Sequence, residues 1–351
     1  MTLSPQWSGL CVVLCWAGCA SSPPSSPAGT GGTTGPTDTA TPTGSGGGMV
    51  GGSGGSVDLA GASGGQPGPT GSGGAGGTGG ASTASDVATD SAVTCPTANE
   101  EKFSFFLVSN AALIREGGAD STGMYPAYGG DLGGITGADG ICQRVAQRAS
   151  PCQSRKVWHA FLSTTTVNAI DRIGSGPWYD RNGRLIAMTI ANLITDRPTG
   201  ADPAIRNDLP NEDGFPNHRP NGTTVVDNHE VLTGSGADGK VYTQASTPGG
   251  GGGSTSCGPD VGATMRAWSA ERATCWNWTR KTAEGCPRVG HPWCSTASCT
   301  PPGSGSGTNW MSVWNEGGCL PGGNFNAGGL DGTRKVGSAG GYGGFYCFAV
   351  R

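Results

Sequence analysis

The stretch from Ala20 to Thr94 contains no lysine and no arginine, and its only acids are Asp38, Asp58, Asp86 and Asp90. Gly, Ser, Thr, Pro and Ala make up nearly all the rest. So little apolar surface cannot offset the entropy of ordering a chain, which excludes a packed domain there. Glycine and serine make such a segment a flexible tether, stiffened locally by proline. Random-coil scaling over about 75 residues gives a reach of roughly 45–50 Å. Basic runs are missing from the remainder as well. All 21 Lys and Arg lie from Cys95 onward and match the 21 acids left outside the tether, so 95–351 is formally neutral and the net −4 belongs to the tether. A neutral domain has no electrostatic grip on a phosphate backbone, which excludes nucleic acid as a partner. From Cys95 onward no G-x-S-x-G, H-E-x-x-H or Walker-type run occurs. No local pattern therefore nominates a catalytic group, and neither enzymatic activity nor a cofactor is expected.

Long hydrophobic runs are also absent. Gly9 to Cys19, GLCVVLCWAGC, is too short to span a membrane, which takes about 20 apolar residues. It fits the hydrophobic region of a secretion signal covering 1–18. Ala17-Gly18-Cys19 looks like a bacterial lipobox, which makes Cys19 the expected lipidated N-terminus and 19–94 the tether. The departures are an n-region, MTLSPQ, without Lys or Arg, and Trp16 where leucine is usual. Ala20 in place of aspartate after the cysteine favours an outer-membrane address by analogy with that class. One acylated end then anchors the chain without spanning the bilayer.

What is present from Cys95 onward differs in kind. Every tryptophan but Trp7 and Trp16 lies there. So do ten cysteines: Cys95, Cys142, Cys152, Cys257, Cys275, Cys286, Cys294, Cys299, Cys319 and Cys347. An even number in an exported chain reads as disulfides. Phe103–Asn110, Val157–Leu162, Leu185–Ala187, Cys275–Thr279 and Phe345–Val350 read as short strands, and Val225–Leu232 as extended pieces. Thr136 reads as an N-cap with Asp139 in the capping-box position. The stripe Ile141, Cys142, Val145 and Ala146 follows it as one helix face, and Met188–Ile194 reads as helical turns. These elements predict an α+β domain over 95–351 with few helices and long loops.

Five segments carry a resemblance. They are GGITGADGICQRVAQRA (Gly133 to Ala149), VWHAFLST (Val157 to Thr164), GPWYDRNGRLIA (Gly176 to Ala187), TCWNWT (Thr274 to Thr279) and FYCF (Phe345 to Phe348). Together they resemble the endostatin-like domain that ends collagens XV and XVIII and occurs in bacterial lipoproteins. The resemblance covers roughly Phe103 to Arg351 and implies a C-type-lectin-like fold and a surface address. It also implies that Cys142 pairs with Cys347 and Cys275 with Cys319. The six other cysteines allow 15 pairings, and spacing does not choose among them. The family's histidine-rich zinc site does not carry over, because no histidine precedes His159.

Three clusters are candidate sites. Cys286, His291, Cys294 and Cys299 offer zinc ligands, but their spacings fit no common module and export favours oxidation, so disulfides are expected and no metal. Asn211, Glu212, Asp213 and Asn217 offer hard oxygens suited to calcium. There Leu-Pro-Asn and, later, Trp-Asn-Trp break the sugar-binding lectin pattern, which leaves a polar turn as the expectation. Trp178, Tyr179, Trp293, Trp310 and Trp314 sit among Gly, Pro and Ser, where aromatics more often cap small cores beneath loops but can also stack on sugars or anchor protein partners. The expected function is a monomeric, lipid-anchored binding or adhesion module for polysaccharide or a surface protein. An exported enzyme using the insertions Thr195–Gly222 and Gly234–Thr264, or a structural envelope protein, are the alternatives.

Overall fold

The computed structural model describes residues 94–243, 256–257, 266–267, 269–293, 309–326 and 333–350. The expected signal, lipidated Cys19 and most of the tether lie outside them, as do Cys294 and Cys299. The helices are α1 (Ala98–Lys102), α2 (Asn110–Gly117), α3 (Gly134–Ala149), α4 (Ile190–Leu193) and α5 (Ala270–Ala273). The strands are β1 (Phe105–Leu107), β2 (Val157–Ala160), β3 (Trp178–Tyr179), β4 (Leu185–Ala187) and β5 (Glu230–Leu232). They continue with β6 (Ser256–Cys257), β7 (Arg266–Ala267), β8 (Arg288–Gly290), β9 (Trp314–Asn315) and β10 (Gly341–Val350). The fold is mixed α+β.

β10 organises the main sheet. It pairs antiparallel with β1, Cys347 opposite Phe106, and antiparallel on its other side with β2, Cys347 opposite Ala160. Its first half pairs parallel with β5, and β8 and β9 extend the sheet from there, each antiparallel to its neighbour. Side chains alternate between faces along a strand, and the core divides accordingly. Phe106, Trp158, Ala160, Phe345, Cys347 and Ala349 join the α3 side, with Ile141, Cys142 and Val145. Phe105, Leu107, Tyr346 and Phe348 face the other way, onto Phe161, Trp178 and Trp310. Both faces of β1 and of the second half of β10 are buried, so these strands read as continuous apolar runs.

α3 buries the expected stripe, Ile141, Cys142, Val145 and Ala146. Its start differs from expectation. The helix begins at Gly134, capped by Gly133 in the left-handed region at φ 75°, and Thr136 lies inside it. Asp139 closes no capping box. Instead it accepts from the Ala160 backbone at 2.8 Å and from Arg172 at 2.6 Å, tying α3 to β2.

Cys142 and Cys347 are bridged, fastening α3 to β10 across 205 residues, and Cys275 and Cys319 close a second loop across 44. These are the two pairs the resemblance implies. Cys95 pairs with Cys152, and Cys286 is also disulfide-bonded. Each such bridge contributes roughly 2–4 kcal/mol by restricting the unfolded chain.

Cys275–Thr279 is not the expected strand. Cys275, Trp276, Asn277 and Trp278 form one turn with positive φ throughout, 44° to 65°. That conformation costs about 1–2 kcal/mol per non-glycine residue. The turn persists because its surroundings hold it. Cys275 is bridged, the Trp278 indole donates to Ser163 O at 2.8 Å, and Asn277 Oδ1 accepts from Thr165 N at 2.8 Å.

Candidate functional site

The register of β5 and β8 sets Val231 opposite Gly290 and Leu232 opposite Val289. One step further along it, Glu230 stands opposite His291. Period-two alternation then puts both on the face of Leu232 and Val289, at the end of the α3-side core. His229 immediately precedes β5. His229, Glu230 and His291 are all buried, and one donor atom from each lies within 4.8 Å of the others.

Neighbours fix these side chains. Asp227 Oδ1 contacts His229 Nδ1, which leaves Nε2 as the ring's other nitrogen. The Trp314 indole donates to Glu230 Oε1, while Glu230 Oε2 is buried and makes no hydrogen bond. The His229 and His291 rings meet edge to face with centroids 4.6 Å apart, and His291 meets Trp314 the same way at 4.7 Å. Trp293 stands 6.0 Å from His229 and 5.2 Å from His218, which pairs with Asp208. Gly340 admits this packing. At φ 146° it brings backbone against the His229 ring and Asp227, and any Cβ there would strike both.

A further carboxyl completes the cluster. Glu316 is fully buried and accepts from Ser338 N at 2.9 Å and Ser338 Oγ at 2.6 Å. Burial pushes its pKa up to about 7, against the pull of those hydrogen bonds and of His229. Asp208 is likewise raised by burial, with His218 opposing. Two imidazoles and a carboxylate converge in a buried cluster flanked by Asp227, Glu316, Trp293 and Trp314. Such a set can hold a cation or move a proton.

The residues singled out in the sequence fall elsewhere, with three exceptions. Trp178 and Trp310 correct the expectation of solvent-facing aromatics. Both are buried beneath the sheet, their indoles donating to Ile173 O at 3.2 Å and Leu193 O at 2.9 Å. Tyr179 is half-buried, with Lys102 Nζ 5.4 Å from its ring centre. Trp314 and Trp293 do reach the cluster. Asp213 is exposed, and the other three calcium candidates spend polar atoms on the fold. Glu212 accepts from Ser109 N and Oγ at the start of α2, and Asn211 Oδ1 accepts from the backbones of Asp213 and Phe215. Asn217 Nδ2 donates to Asn228 O at 2.8 Å. Of the cysteine-based zinc set, Cys286 is oxidised, and His291 sits with His229 and Glu230 instead. The missed residues left one local signal, Asp227-Asn228-His229-Glu230 at the entry of an extended segment.

Compared with known proteins, the chain matches no family model and no curated sequence.

Proposed function

We propose that the chain is exported, anchored to the outer membrane by a lipid on Cys19, and carries an endostatin-like domain of C-type-lectin-like fold that binds an extracellular polysaccharide or a surface protein. The observation that carries this reading is the buried Cys142–Cys347 bridge between α3 and β10. A disulfide that locks the central strand belongs to an oxidising compartment, and a tether ahead of the domain suits display at a surface. The loop between Leu209 and His229 supplies a contact face. Its turns are held from within by Asn211, Glu212 and Asn217, while Phe215 and Val225 stand exposed at 41% and 61%. Rigid loops bearing exposed apolar groups suit a partner interface.

Two measurements test the proposal. Cells expressing the full chain and its Cys19→Ser variant are grown with an alkyne-tagged fatty acid and fractionated. Label in the outer membrane that Cys19→Ser abolishes is expected, and an unlabelled native chain overturns the anchor. The full chain is then screened on a glycan array and by cross-linking on intact cells. Glycan signal or one dominant surface partner is expected, weakened by Phe215→Ala. The absence of both signals would overturn the binding reading.

A further inference from the structure

We propose that His229, Glu230 and His291 form a binding site for one divalent transition-metal ion, for which Zn²⁺ is the matching choice. The site is independent of how the chain is anchored and of what its surface binds. Three observations carry it. The three donor atoms already lie within 4.8 Å of one another. Tetrahedral zinc with bonds of about 2.0–2.1 Å needs donors about 3.3 Å apart, a contraction that side-chain rotation supplies.

Second, Asp227 occupies His229 Nδ1, the carboxylate–histidine arrangement that presents Nε2 to a metal and raises its basicity. Third, Glu230 Oε2 is buried without a hydrogen bond, although its sister oxygen is held by Trp314. A buried carboxylate oxygen left bare is costly unless a cation meets it.

The donors also select the metal class. Two imidazoles and one carboxylate suit zinc and its first-row neighbours, whereas calcium and magnesium require oxygen ligands. Three protein ligands leave a fourth position for water or a ligand atom. Asp227 acts as a positioning residue through His229. Trp314 holds Glu230 in the same way.

The test uses the full chain, oxidised and free of any affinity tag, stripped with EDTA and dialysed. On titration with Zn²⁺ alone, one equivalent per chain is expected by elemental analysis, with a rise in Tm. Co²⁺ in its place is expected to give the visible bands of a four- or five-coordinate nitrogen and oxygen site. His229→Gln and Glu230→Gln should each weaken Zn²⁺ binding more than Asp227→Asn does, which as an outer partner should cost roughly 10–100-fold. His159→Gln, outside the cluster, should leave binding unchanged. No stoichiometric Zn²⁺ at micromolar free metal would overturn the proposal. So would binding that survives His229→Gln and Glu230→Gln but is lost in Cys294→Ser, because the metal would then sit among the cysteines. The Co²⁺ spectrum of the unmodified chain keeps the test decisive if a variant fails to fold.

Discussion

Where β10 runs between β1 and β2, both faces carry large apolar groups: Phe345, Cys347 and Ala349 on one side, Tyr346 and Phe348 on the other. Where its first residues meet β5, three of four are glycines, and beside them lie His229, Glu230, His291 and Glu316. The glycines let the backbone approach closely. A Cβ on Gly341 would press on Glu230, and one on Gly340 on His229. One end of the sheet therefore gains stability from burial, whereas the other spends it on confined charge. Charge buried at a cost to the fold, and braced by glycines and paired acids, marks this end of the sheet as the candidate site.

The largest blow should come from the apolar end. Phe348→Ala removes a buried ring in contact with Phe105 and Trp178 at centroid distances of 4.9 and 5.6 Å. A loss of about 3–5 kcal/mol is expected in urea unfolding, and a loss below about 1 kcal/mol would deny that end its role as core. Joint replacement of Cys142 and Cys347 by serine should cost about 2–5 kcal/mol, read by the same assay.

Glu316→Gln probes the polar end through pH. The Glu316 carboxyl titrates at about 7 in the folded chain against an ordinary 4.5. A raised acid keeps its proton when folded, so its contribution is fully present below pH 4.5. It falls as pH rises and is gone above about 7, a change of at most about 3 kcal/mol. In EDTA, the native chain should thus lose more Tm between pH 5 and pH 8 than Glu316→Gln does. Equal slopes would mean that the carboxyl is not confined. The smallest effect is expected from Ser109→Ala, which removes the α2 cap and one donor to Glu212. A cost of about 0.5–2 kcal/mol should appear as faster amide exchange at the start of α2.

Short apolar runs made β4 and the Phe345–Val350 half of β10 legible, and helical periodicity the buried stripe of α3, because each obeys a local rule. Cys275–Thr279 read as a strand since aromatic residues favour one. Contacts with Leu132, Ser163 and Thr165 and the Cys319 bridge, all distant in sequence, hold it left-handed. Trp178 and Trp310 looked like loop aromatics because Gly, Pro and Ser surround them. Loop backbone does not decide where an indole points. The cluster at His229 was invisible for another reason. Glu230 and His291 become neighbours only through the β5–β8 register, and no short motif encodes a pairing across 61 positions.

The strand at the centre of the sheet follows, in the chain, every strand that hydrogen-bonds to it. A polypeptide delivered N-terminus first presents β1, β2 and β5 before the partner they share exists. Those edges wait unpaired, and Cys142 has no mate until Cys347 arrives. Folding of this domain is therefore a closing event, slow in onset because its contacts span most of its length. Until β10 appears, the edges that await it stay open to any other extended strand, so the same order of synthesis that delays closure also prolongs exposure to mispairing.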